Sequence, residues 1–135
     1  MQYVEKISLN GEHNIESKMI LVVEDDDSIG FMLVEALSQE TPYHAVLVTD
    51  GLQALQAVRE VKPCLFITDY RLPYMDGIEL YDRLHAKKEL EDTPAILMSA
   101  YLPPDEEVKK RKLVSMNKPF ELDELLDTVE KLLYC

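Results

Sequence analysis

Five short apolar runs, each followed by a segment with helical character, leave this chain few folds to adopt. The runs lie at 19–23, 43–48, 64–68 and 95–99, with a weaker one at 113–116. Near-continuous runs of this length suit strands buried on both faces, as in parallel sheets. After the first run, Ile29, Met32, Leu33, Ala36 and Leu37 fall at i, i+3, i+4, i+7 and i+8, one face of a helix that Asp26, Asp27 or Ser28 can cap. Ala54, Ala57, Val58 and Val61 mark a second helix, and Ile78, Leu80, Tyr81 and Leu84 a third. The last is the clearest, with Leu122, Leu125, Leu126, Val129, Leu132 and Leu133. The fourth segment, "PPDEEVKKRK" (103–112), is almost wholly charged and offers Glu106/Lys110 and Glu107/Arg111 pairs instead of an apolar face. Its helix is expected to be short or irregular. Such alternation predicts an α/β fold, a parallel sheet with helices on both faces. Sites in these folds form outside the carboxyl ends of the strands.

A length of 135 residues fits one domain. Residues 1–17 are polar and weakly patterned; Val4, Ile7 and Leu9 make them either a tail or a short docked element, and the domain proper is expected over 18–135. A net charge of −12 argues against direct nucleic-acid binding through overall charge. The longest apolar stretch, 19–23, is far below a membrane span or a signal-peptide core, so a cytoplasmic protein with no membrane insertion is expected. Cys64 and Cys135 do not make a disulfide framework; Cys64 reads as a buried thiol and Cys135 as a free one.

The strand ends carry the chemistry. Glu24, Asp25, Asp26 and Asp27 follow the first run, Asp69 ends the third, Ser99 ends the fourth, and Lys118 follows the fifth. The "TDG" after the second run reads as a helix start. Each feature alone has an ordinary role. An acidic run caps a helix, a lone Asp starts a turn, a Ser caps or loops, and a Lys before Pro sits on the surface. Capping does not account for their joint arrival at one sheet edge. Two unit charges about 4 Å apart repel by about 4 kcal/mol at an effective dielectric near 20. A pocket with Glu24, Asp25 and Asp69 therefore needs counter-charge. Lys118 supplies one, and a hard divalent cation with oxygen ligands, Mg2+ above all, supplies two more.

These residues match a pattern. The motifs "ILVVEDD" (20–26), "ITDYRLPYMDG" (67–77), "ILMSA" (96–100) and "KPF" (118–120), in this order and spacing, resemble the receiver domain of bacterial two-component response regulators over nearly the whole chain. The resemblance implies a flavodoxin-like sheet of five parallel strands in the order 2-1-3-4-5. It implies that Asp69 is the phosphoacceptor and that Glu24, Asp25, Asp69 and the backbone carbonyl of Arg71 hold Mg2+. Ser99 would move toward the phosphoryl group, Lys118 would contact it, and the Lys118–Pro119 bond would be cis. The implied partners are a histidine kinase or histidine phosphotransfer protein as donor and a downstream protein of unknown identity. A monomer or weak dimer is expected. The chain stops directly after its last amphipathic segment, so a stand-alone receiver is expected. Its only catalysis would be its own phosphorylation and dephosphorylation.

The segment between Ser99 and Lys118 departs from that pattern. It is shorter, lacks the usual small-residue turn, and places Ser115 where the family usually has an aromatic residue; the nearest aromatic is Tyr101. A receiver-fold interaction module that works without phosphorylation is the competing reading. A magnesium-dependent phosphatase with an aspartate nucleophile would carry a second Asp two residues after Asp69, where this chain has Arg71.

Overall fold

The computed structural model describes residues 18–101 and 103–133. The expectations for residues 1–17 and for Cys135 lie outside them. The elements, in chain order, are β1 (Met19–Val23), α1 (Asp27–Glu40), β2 (His44–Val48), α2 (Gly51–Ala57), β3 (Leu65–Asp69), α3 (Gly77–His85), a 3-10 turn (Lys88–Leu90), β4 (Ala95–Ser99), α4 (Asp105–Lys109), β5 (Leu113–Asn117) and α5 (Leu122–Leu133). The strands form one parallel sheet in the order β2-β1-β3-β4-β5, the expected 2-1-3-4-5.

Every residue of β1, β3 and β4 is buried, which is why their sequence runs are unbroken. The edge strands β2 and β5 are only partly covered, and their runs are correspondingly mixed. On one face Ile20, Val22, Ile67 and Ile96 pack with Leu33 and Leu37 of α1 and with Leu125 and Val129 of α5. On the other, Leu21, Val23 and Phe66 pack with Ala54 of α2 and with Leu80 and Leu84 of α3. Parallel pairing sets Val23 beside Thr68 and Asp69 beside Met98, so the first residues past β1 and the last of β3 and β4 share one edge. Among the described residues no helix is long and apolar enough to cross a membrane.

Of the three expected capping residues Asp26 takes the role at α1, its Oδ1 accepting from the Ile29 N–H at 3.1 Å. Three local expectations need correction. Met32, assigned to the buried stripe of that helix, is 52 % exposed, because Leu33, Ala36 and Leu37 already fill the face. Val61 lies beyond α2, which ends at Ala57, and is exposed. Cys64 is half-buried rather than buried, its thiol donating to the Met19 carbonyl at 3.4 Å. Asp50 caps α2, as "TDG" suggested.

The fourth helix is short, with five residues and no buried side chain. With no apolar face to dock, it depends on polar ties. The Arg111 guanidinium forks onto Asp82 of α3 through Nε–Oδ1 and Nη2–Oδ2 contacts of 2.8 Å each. Its Nη1 donates to the Glu107 carbonyl at 2.6 Å and to Oε1 at 3.2 Å. Lys110 pairs with Glu107 at 3.5 Å rather than with the expected Glu106. Arg111 is 15 % exposed but Asp82 is 52 % exposed, so water screens part of the attraction. Arg111→Ala is expected to lower stability by about 1–2 kcal/mol in urea denaturation. Lys should restore little, since it cannot fork. Amide exchange of 105–112 should accelerate in both variants; unchanged exchange there would show that α4 does not depend on this tie.

Candidate functional site

A cavity of about 390 Å3 opens at the carboxyl edge of the sheet, lined among others by Glu24, Asp25, Asp69, Arg71, Ser99 and Lys118. Every site residue expected from the sequence arrives there. Glu24 leaves β1 with its N–H donating to the Val48 carbonyl at 3.0 Å, which fixes its backbone to β2. Asp69 is the last residue of β3 and is buried. The Lys118 N–H donates to the Ser99 carbonyl at 2.9 Å, which ties the end of β5 to that of β4, and the Lys118–Pro119 bond is cis.

A glycine is required where the loop returns from β3 to α3. The Gly77 N–H donates to the Tyr70 carbonyl at 2.7 Å, and a Cβ at Gly77 would lie 2.5 Å from the Asp69 carbonyl and 2.6 Å from Leu97 Cδ1. Any side chain there would push the Asp69 backbone out of place. Within the same loop Tyr74 holds φ at 74°, a left-handed conformation uncommon outside glycine. Asp76 closes the loop by capping α3, accepting from the Glu79 N–H at 2.8 Å.

Lys118 Nζ lies 2.6 Å from Asp69 Oδ1 and 3.2 Å from Glu24 Oε1. Glu24 Oε2 accepts from the Asp26 N–H at 3.0 Å, so both Glu24 oxygens are engaged. Oxygens of Glu24, Asp25 and Asp69 lie within 4.8 Å of one another. Burial of Glu24, which is 1 % exposed, its hydrogen bond with Asp69 and the charge of Asp69 push its pKa up to about 7, against the opposing pull of the Asp26 N–H and Lys118. Burial pulls the Lys118 pKa down, but its contacts with Asp69 and Glu24 outweigh this, and the net shift is upward. One ammonium thus faces three carboxylates. Two negative charges remain uncompensated when all three ionise, and without another cation Glu24 relieves part of that excess by holding a proton. A hard, oxygen-rich donor set with this deficit fits a divalent cation such as Mg2+.

The Ser99 hydroxyl is engaged with its own loop. Its Oγ donates to the Tyr101 carbonyl at 2.7 Å and accepts from the Tyr101 N–H at 3.0 Å. Tyr101 lines the cavity mouth and is largely exposed. Ser115 lies on the edge strand β5, opposite Leu97, and does not line the cavity. The sequence reading missed three contributors. The Asp26 N–H and the Gly77 close approach are backbone features, of which only the "DG" turn left a sequence trace. Ile29, assigned to the core, also lines the cavity, where it forms part of the apolar wall.

Comparisons with known proteins agree with the fold. A family model of the response regulator receiver domain matches residues 20–130. Sporulation initiation phosphotransferase F of Bacillus subtilis is 35 % identical over 120 residues, covering 87 % of this chain and 94 % of that protein. Hybrid signal transduction histidine kinase D of Dictyostelium discoideum is 30 % identical over 138 residues; the match takes in 98 % of this chain but spans only 9 % of the kinase. The chemotaxis response regulator CheY4 of Vibrio cholerae superposes with a TM-score of 0.78 at 25 % identity, over 87 % of this chain and 99 % of that one. The receiver domain of a sensor histidine kinase from Pseudomonas aeruginosa, solved with a magnesium ion coordinated in its active-site cleft, gives a TM-score of 0.72 at 25 % identity, over 86 % and 97 % of the two chains. The chain belongs to the response regulator receiver domain family. As such it is a signalling switch of two-component systems and not an enzyme in the ordinary sense.

Proposed function

We propose that this chain takes a phosphoryl group onto Asp69 from a phosphohistidine on a sensor kinase or histidine phosphotransfer protein, in the cytoplasm, and signals through a downstream protein or by passing the group onward. The observation that carries the reading is the clamp of Lys118 Nζ, 2.6 Å from Asp69 Oδ1 and 3.2 Å from Glu24 Oε1, in a cavity with excess negative charge. An Asp69 carboxylate oxygen attacks the phosphorus in line, the P–N bond to the imidazole breaks, and the imidazole nitrogen takes up a proton. The transferred group is anionic, so positioning and neutralisation account for most of the acceleration. Glu24, Asp25, Asp69 and the Arg71 carbonyl would hold Mg2+, which supplies Lewis-acid neutralisation of the phosphoryl oxygens. Lys118 turns from Asp69 and Glu24 toward the phosphoryl oxygens, and Ser99 leaves the Tyr101 backbone to donate to them. The relatives named as phosphotransferase and hybrid kinase support the choice of donor.

Intact mass spectrometry after incubation with Mg2+ and acetyl phosphate tests this. Wild type is expected to gain one phosphoryl mass, and neither Asp69→Asn nor wild type in EDTA should do so. A folded wild type that gains nothing, from acetyl phosphate or from a histidine kinase, would leave the phosphorylation-independent interaction module as the better account.

A further inference from the structure

A second groove, of about 390 Å3, lies between α5 and the loop joining α1 to β2, and shares no residue with the site cavity. Pro42, Tyr43 and Leu126 form its accessible apolar part, over the buried Val129. Its rim carries Glu40, the last residue of α1, and Asp123, Asp127 and Glu130 of α5. The three α5 carboxylates fall at i, i+4 and i+7, which sets them along one helix face beside Leu126. No basic side chain lines the groove. None of these four carboxylates has an ion pair among the described residues. Elsewhere Asp82 pairs with Arg111, Asp92 with Lys112, and Asp69 and Glu24 with Lys118.

We propose that this groove docks a basic amphipathic segment of a partner protein, its Lys or Arg side chains meeting the four carboxylates and its apolar side seating on Pro42, Tyr43 and Leu126. Charge complementarity selects that occupant. A second copy of this chain brings a further net charge of −12, and residues 1–17 hold one Lys against three Glu. Electrostatic matching of this kind favours rapid encounter and partner choice, with affinity added by the apolar floor.

The test uses the full chain and a synthetic helix-forming peptide of leucine and lysine with one apolar face, followed by NMR titration. Shifts are expected to concentrate at residues 40–43 and 123–130 and to weaken as salt is raised. The triple variant Asp123→Asn, Asp127→Asn, Glu130→Gln should bind at least about tenfold more weakly. A control with the same charge change, Glu60→Gln, Glu89→Gln, Glu91→Gln, should bind as wild type; all six positions are exposed, so both variants should fold. Equal loss in the two variants, or shifts spread over the acidic surface, would reduce the effect to general charge and overturn the proposal. So would equal binding by a lysine–glycine peptide of the same charge. Shifts in the groove that depend on protein concentration without peptide would assign it to a second copy instead.

Discussion

Lys118→Ala is expected to cost the metal-free protein about 3 kcal/mol of stability near neutral pH and to slow phosphoryl uptake by about a hundredfold or more. Both effects have one cause. Lys118 Nζ touches Asp69 Oδ1 and Glu24 Oε1 together, and no other ammonium or guanidinium among the described residues pairs with either. Removing one partner of a buried ion pair leaves its counter-charge stranded, at about 3–5 kcal/mol. The lower end applies because the Lys118 side chain is 26 % exposed and water reaches it. The loss also depends on pH. Lys118 lowers the Glu24 pKa, so without it Glu24 takes up a proton more readily. The deficit should therefore be larger at about pH 8 than at about pH 5. Pairing the change with Asp69→Asn removes the stranded charge, so the double variant should recover much of the stability while taking up no phosphoryl group. Urea denaturation in EDTA and intact-mass time courses measure the two halves. An unchanged midpoint together with unchanged uptake would rule out the clamp.

The strands at 19–23 and 95–99 coincide with their sequence runs because both faces of those strands are buried, leaving every position apolar up to the functional edge. The site was legible for a related reason. In a parallel sheet the residue after each strand has a known address, so Glu24, Asp25, Asp69, Ser99 and Lys118 could be placed together before any contact was seen. What stayed hidden depends on choices among equivalent groups or on distant partners. "EDDD" offers four carboxylates able to cap α1. Geometry gives the role to Asp26, because Glu24 turns inward to Lys118. The Arg111 fork reaches Asp82 across 29 residues, and no local spacing marks such a pair. Lys110 and Glu106 have a favourable spacing, yet Lys110 finds Glu107 instead, in a surface pairing whose alternatives differ by little energy.

Glu24→Gln is expected to remove the loss of stability that the metal-free protein shows between about pH 5 and pH 8. Burial beside Asp69 pushes the Glu24 carboxyl up to about 7 in the fold, from the ordinary 4.5. Between those values the folded state binds the extra proton, so stability falls as pH rises through the window and levels off above it. A displacement of that size amounts to about 3 kcal/mol as an upper bound. Gln carries no charge to strand. Its oxygen can still accept from the Asp26 N–H. At about pH 8 in EDTA the variant should therefore be more stable than wild type, by about 1–3 kcal/mol, and at about pH 5 the two should be close. Mg2+ should invert the ranking. It supplies the missing positive charge to an ionised Glu24, so wild type gains more from the metal, and its binding releases a proton near neutral pH. The variant lacks one anionic member of the proposed Mg2+ site and should bind the ion more weakly. Urea midpoints from about pH 5 to pH 8, with EDTA and with Mg2+, decide the matter. Parallel pH profiles for the two proteins in EDTA would show that Glu24 does not carry the proton, and that the excess charge of the cavity is relieved elsewhere.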